Sequence, residues 1–237
     1  MATDKVAYWI DIADYDLETA EAMYSTRRWL YVAFMCHQAI EKTLKAYWCG
    51  TMPEDSPYTH SHKRLADGCG LYIRMSEEHK DFLNTVANYN IEARYPEDKE
   101  ALARTLTPNA CRQIIDKIDS RHDSTNRVNS SVLAAPRVLS RDEALNLVRN
   151  YKRVIRHRFK SEPRVMMFGS YSKGYATPDS DIDVAVIVPS YGNQKLNISK
   201  NLWHDVDKVS LLIEPVLMAE DKWSPLYDDV MKTGIAV

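Results

Sequence analysis

Phe168-Gly-Ser-Tyr-Ser-Lys-Gly-Tyr-Ala-Thr-Pro-Asp-Ser-Asp-Ile-Asp-Val-Ala-Val186 is the stretch that decides how this 237-residue chain is read. The apolar run Val165-Met-Met-Phe168 leads into it and stops at Gly169-Ser170. A second apolar run starts at Ile182, with Asp181 at its entrance and Asp183 one residue inside. Residues i and i+2 of a strand project to one face, so the two carboxylates point the same way. Two like charges side by side are unfavourable unless a cation sits between them. Hard oxygen ligands at this spacing suit magnesium or manganese, held by one or two carboxylates together with the phosphates of a substrate.

The residues between the two runs fit the same chemistry. Gly169 lets the backbone come close to a bulky anion, and Ser170 adds a hydroxyl to the N–H donors of the turn. Lys173 brings a positive charge to the same phosphates, and Gly174 lets the loop turn back toward the second strand. Ser180 completes the set of expected nucleotide contacts. A third strand is expected over Ser210–Met218 and carries Glu214, followed directly by Pro215, which lacks a ladder donor and suits an edge strand. If that strand pairs beside the second, Glu214 joins Asp181 and Asp183 as a third metal ligand or as the base for an acceptor hydroxyl. The alternative for Glu214 is a solvated strand residue.

Outward from this motif the chain divides in two. Toward the C-terminus, short strands alternate with a helix expected over Leu196–Lys208, which indicates a small α/β sheet. Ahead of it, Ser140 and Glu143 form a capping-box pair that opens a helix running to about Phe159. The stretch from Ser120 to Ser140 is polar and aperiodic and reads as an exposed linker. The N-terminal half reads as helix throughout. Val6, Trp9, Ala13, Leu17, Ala20 and Tyr24 form one face, and Leu30, Ala33, Phe34, His37, Ile40, Leu44 and Trp48 another. Shorter patterns cover 64–74 and 77–91, and a last long helix is expected over 97–119. The expected architecture is an α+β chain of two domains: an antiparallel helical bundle over 1–120, a linker over 121–139, and a small α/β domain with a mixed sheet over 140–237.

A hydrophobic content of 45% supports a buried core, and a net charge of -2 gives no general pull toward nucleic acid. No apolar run approaches the roughly 18 residues of a membrane span and no leader pattern opens the chain, so a cytoplasmic protein without a membrane partner is expected. Cys36, Cys49, Cys69 and Cys111 include no C-x-x-C pair, so no zinc site or disulfide framework is expected, and Cys36 and Cys49, on or near apolar helical stretches, read as free buried thiols. Gln38, Glu41, Lys42 and Lys45 form a polar strip expected to be a solvated helix face. His60 and His62 are expected to bond to backbone or cap a helix rather than ligate metal. The basic residues Arg149, Lys152, Arg153, Arg156, His157, Arg158 and Lys160 ring one helix end, where cations are favoured in any case.

Gly169-Ser170, ten residues, then Asp181-Ile-Asp183, flanked by two apolar runs, resembles the signature of the DNA polymerase β-like nucleotidyltransferase superfamily, and most of all its minimal nucleotidyltransferase branch. The helical half is similar to the HEPN family in His37-Gln-Ala-Ile-Glu-Lys-Thr-Leu-Lys45, Tyr58-Thr-His-Ser-His62 and Tyr89-Asn-Ile-Glu-Ala-Arg-Tyr-Pro96. These resemblances imply transfer of a nucleoside monophosphate, AMP from ATP above other nucleotides, to a hydroxyl of a protein or small-molecule acceptor. They also imply a toxin–antitoxin-like setting, a homodimer through the helical half, and RNA as a possible partner. The third carboxylate of the superfamily is commonly aspartate, so Glu214 departs from its pattern. A second reading is a HEPN ribonuclease restrained by the fused domain, for which Arg74 and His79 have the permitted spacing but sit ahead of the expected helix. A third is a non-catalytic nucleotide-binding module.

Overall fold

A computed structural model describes residues 2–90, 105–122 and 138–237. Its contacts separate two compact units, 1–133 and 134–237. Nearly all of the expected linker, most of the Tyr89–Pro96 segment and the first part of the helix expected over 97–119 lie outside the described residues.

The first unit contains α1 (Ala2–Ser25), α2 (Trp29–Thr51), α3 (His62–Gly68), a 3-10 turn (Tyr72–Arg74), α4 (Glu77–Ala87) and α5 (Pro108–His122). Ala13 and Ala20 are fully buried, and their small side chains let α1 lie close against α2. Ser61 and Ser76 start α3 and α4 by accepting hydrogen bonds from the backbone N–H of Arg64 and His79. Arg74 and His79 therefore flank a helix cap. All four cysteines are free and buried, as expected of Cys36 and Cys49.

The polar strip of α2 corrects the sequence reading. α2 touches α1, α3, α4 and α5, so it is buried on nearly every side, and Glu41 is only 1% exposed. Its carboxylate accepts from Lys45 Nζ at 2.8 Å and Lys42 Nζ at 3.2 Å, and lies 2.8 Å from His60 Nδ1. Burial raises the Glu41 pKa, but the hydrogen bond to His60 and the two lysines outweigh it and hold the carboxyl well below the usual range. His60 thus bonds a carboxylate, whereas His62 Nε2 meets the His37 carbonyl at 3.1 Å, as expected of a backbone-bonded histidine. His37 and His62 pack ring on ring with centroids 4.1 Å apart.

The second unit runs α6 (Arg141–Ile155), a 3-10 turn (Arg156–Arg158), β1 (Arg164–Phe168), α7 (Gly169–Lys173), β2 (Ile182–Val188), α8 (Lys195–Val206), β3 (Ile213–Ala219), α9 (Pro225–Thr233) and β4 (Ile235–Ala236). The sheet order is β3-β2-β1-β4. β1 is antiparallel to β2 and β4, and β2 is parallel to β3, so the sheet is mixed. The parallel pair needs a crossover, and α8 supplies it. The capping box at Ser140 and Glu143 is present. β3 is an edge strand, which accommodates Pro215.

Met167, Ile182, Ile187 and Leu217 are fully buried in and around the sheet, each contributing roughly 2 kcal/mol by leaving water. α6 packs on β1, α8 on β3, and the two helices touch. Tyr151 Oη donates to the Leu202 carbonyl at 2.8 Å across that contact. Helix α9 and strand β4 extend the expected elements; Ser224-Pro225 and Gly234 were the local start and stop signals for α9. Among the described residues no helix is long and apolar enough to cross a membrane.

Candidate active site

The strand register builds the site. Asp183 pairs with Phe168 of β1 on one side and with Glu214 of β3 on the other. Residues directly opposite across a ladder share a face, so Asp183 and Glu214 present their carboxylates to the same side of the sheet. Asp181 precedes Asp183 by two residues, just outside β2, and all three are half-buried. The expected neighbourhood of strands two and three is therefore real.

Gly169 meets Asp183 directly. Its φ is +69, a conformation that side chains other than glycine's rarely adopt, and a Cβ there would collide with Asp183 Oδ2. The end of β1 thus gives the Asp183 carboxylate its place. The loop then makes the single helical turn α7, anchored by buried Tyr171. Gly174, at φ +84, closes it: the N–H groups of Gly174 and Tyr175 both donate to the Ser170 carbonyl, at 2.9 and 3.1 Å. Ser172 Oγ donates to the Gly169 carbonyl at 3.0 Å, and Arg141 Nη2 donates to the Ser172 carbonyl at 3.2 Å. Ser170 is half-buried beside this frame.

Lys173 lies at the end of the same turn, where Asp229 of α9 takes its Nζ with both carboxylate oxygens, at 2.9 and 3.2 Å. The pKa of Lys173 is raised, first by this hydrogen bond and to a smaller extent by the charge of Asp183. Ser180 has a local partner in the same loop. Its hydroxyl accepts from the Thr177 N–H at 2.9 Å and closes the 177–180 turn that delivers Asp181 to the sheet. Asp229 and Arg141 were missed by sequence reasoning. Arg141 belonged to an expected helix, but its contact lies 31 residues away in the chain.

Among the described residues, no three His, Cys, Asp or Glu side chains converge closely enough to hold an ion as they stand. The donor chemistry nevertheless suits a hard divalent cation: carboxylate oxygens alone, with Asp183 and Glu214 on one face and Asp183 seated against a glycine.

Residues 148–232 match the nucleotidyltransferase domain family. The chain is also similar to the "Putative protein adenylyltransferase" of Methanocaldococcus jannaschii, with 28% identity over 98 residues, 40% of this chain and 99% of that protein. No solved structure matches the chain. The HEPN domain family matches residues 6–128, more than half of the sequence. The chain belongs to the HEPN family, and in the same polypeptide it is a nucleotidyltransferase.

Proposed function

We propose that the C-terminal unit transfers a nucleoside monophosphate, AMP from ATP, to an acceptor hydroxyl and releases pyrophosphate. The observation that carries this reading is the register that sets Glu214 beside Asp183, with Gly169 giving up its side-chain space to the same carboxylate. Asp181 and Asp183 would hold magnesium or manganese, with Glu214 as the third carboxylate. Bound there, the ions would activate the attacking oxygen and offset the charge of the departing pyrophosphate.

The remaining work falls to the chain's own groups. Ser170 and the N–H donors of its turn hold the phosphates, and Lys173, steadied by Asp229, adds positive charge beside them. Glu214 orients the acceptor hydroxyl or takes its proton. A protein hydroxyl is the favoured acceptor, because the archaeal relative named for adenylyl transfer to protein aligns over nearly its whole length. A small-molecule hydroxyl is the second choice.

The test uses purified protein, magnesium and ATP labelled in the α-phosphate, alone and with added acceptors. Label entering protein or acceptor, lost at least a thousandfold in Asp181→Ala/Asp183→Ala, supports the reading. Nucleotide binding with neither label transfer nor pyrophosphate release for any nucleotide or acceptor tried would overturn it in favour of a nucleotide-binding module.

A further inference from the structure

Between residues 149 and 164 the chain has seven arginines and lysines against one acidic residue, Glu162. In sequence these cations ring the helix, but folding sorts them. Lys152 Nζ is taken by the Val237 carbonyl at 2.6 Å and lies 3.4 Å from Glu162. Arg158 is drawn to Asp205, with Nη2 to Oδ1 at 2.9 Å, and Lys208 joins the same carboxylate. Arg149, Arg153, Arg156 and Lys160 stay exposed, as does Arg164 at the start of β1.

Arg149 and Arg153 step by four residues along the exposed face of α6, Arg156 follows three residues on in the 3-10 turn that continues it, and Lys160 is exposed in the bend beyond. Arg149 Nη1 donates to Asn146 Oδ1 at 2.8 Å, and Arg153 Nη1 to Asn150 Oδ1 at 3.0 Å. Neutral amides therefore steady both guanidinium groups without cancelling their charge. Arg156 Nη2 stands 3.8 Å from Glu162, beyond hydrogen-bonding distance.

Such a stripe fits one kind of partner. The planar guanidinium fork matches phosphate oxygens. One cation per helical turn suits a polymer that carries charge at regular intervals. No large apolar side chain between 146 and 164 is exposed, so the face lacks what an interfacial membrane helix buries. It also lacks an exposed aromatic platform for stacking bases, so contact would be to the backbone and independent of sequence. We propose that this face of α6 docks the phosphodiester backbone of a nucleic-acid strand. The stripe begins about 12 Å along the helix from Arg141, at 1.5 Å per residue. Docking is therefore measurable apart from nucleotidyl transfer and does not depend on it.

The experiment measures anisotropy of a fluorescein-labelled 20-nucleotide RNA, and of DNA of the same sequence, with the full chain across a potassium chloride series. Three or four phosphate contacts at about 0.7 each predict a log–log salt slope of roughly -2 to -3. Arg149→Glu/Arg153→Glu/Lys160→Glu should weaken binding at least tenfold and flatten the slope, while Arg149→Lys/Arg153→Lys keeps the slope. Asp181→Ala/Asp183→Ala should bind as wild type does, separating this result from the fate of the transfer reaction. If the reversal variant fails to fold, Arg149→Gln and Arg153→Gln singly should each reduce the slope by about 0.7. Tighter binding of RNA than DNA, or the reverse, identifies the strand. The proposal is overturned if neither strand binds at low salt, if the substitutions leave affinity and slope unchanged, or if labelled polyglutamate or phosphatidylserine vesicles bind as tightly as the oligonucleotides.

Discussion

Gly169 and Lys173 sit four residues apart, and each depends on a carboxylate brought from elsewhere in the chain. An alanine at 169 would be strained at φ +69, by roughly 1–2 kcal/mol, and would displace Asp183 from the place it occupies. Gly169→Ala should therefore lower nucleotidyl transfer by about a hundredfold, the scale set by misplacing a reacting group by about an ångström. Circular dichroism should stay unchanged, and wild-type transfer by this variant would remove Gly169 from the site. For Lys173, the hydrogen bond it donates to Asp229 favours the charged amine and raises its pKa above 10.5. Asp229→Asn removes that support, so the amine loses its proton at lower pH. The alkaline loss of ATP affinity should shift downward in pH, read from KM for ATP across the alkaline range, and an unmoved limb would show that Asp229 does not tune this lysine.

Helix α6 and helix α2 show how differently a local pattern constrains an element. The start of α6 is local: Ser140 accepts from the Glu143 N–H, and Glu143 returns a bond to the Ser140 N–H at 2.7 Å. Ser140→Ala should cost about 1 kcal/mol in urea unfolding of the C-terminal unit. It should also loosen Arg141, the next residue, from the Ser172 carbonyl. This cap was legible in the sequence because its partners are three residues apart. In α2 the strip of Gln38, Glu41, Lys42 and Lys45 reads as solvated because nothing within the helix reveals that other helices surround it. Glu41→Ala should destabilise the helical unit by roughly 3–5 kcal/mol, since it leaves Lys45 buried without its carboxylate. Chemical denaturation checks this, and a loss below about 1 kcal/mol would mean that water replaces the carboxylate as partner.

As a whole, the molecule has two units whose stabilities respond differently to acid. Burial is the main cause that pushes His62 down to about 4, and it lowers His37 well below 6.5. Above 6.5 both histidines are neutral whether folded or unfolded, and they contribute no pH dependence. Below 6.5 the unfolded chain takes up protons that the folded chain refuses, so stability falls as pH drops toward 4. His62 alone accounts for about 3 kcal/mol of this loss, at 1.36 kcal/mol per pH unit. His37 adds in the same direction, and Glu41, with its depressed pKa, extends the loss below 4.5. In the other unit Asp205, raised by burial but lowered further by Arg158 and Lys208, begins to lose stabilisation only below about 3.8. Site-resolved hydrogen exchange in urea at neutral and mildly acid pH should show protection failing first in α2, α3 and α4. Simultaneous loss in both units would refute the assignment.

What the sequence by itself determined is what short-range chemistry encodes. Helical periodicity marked the first half, and two apolar runs joined by Gly169-Ser170 and Asp181-Ile-Asp183 marked the sheet and the candidate site. The capping box located α6, because its torsions and hydrogen bonds involve neighbours in the chain. Tertiary structure decided which residues meet across distance. It aligned Glu214 with Asp183, brought Asp229 to Lys173 across 56 residues, buried Glu41, and chose which cations of α6 remain exposed. The physical reason is that periodicity specifies one face of an element, whereas register between distant strands and burial of a second face depend on what packs against them.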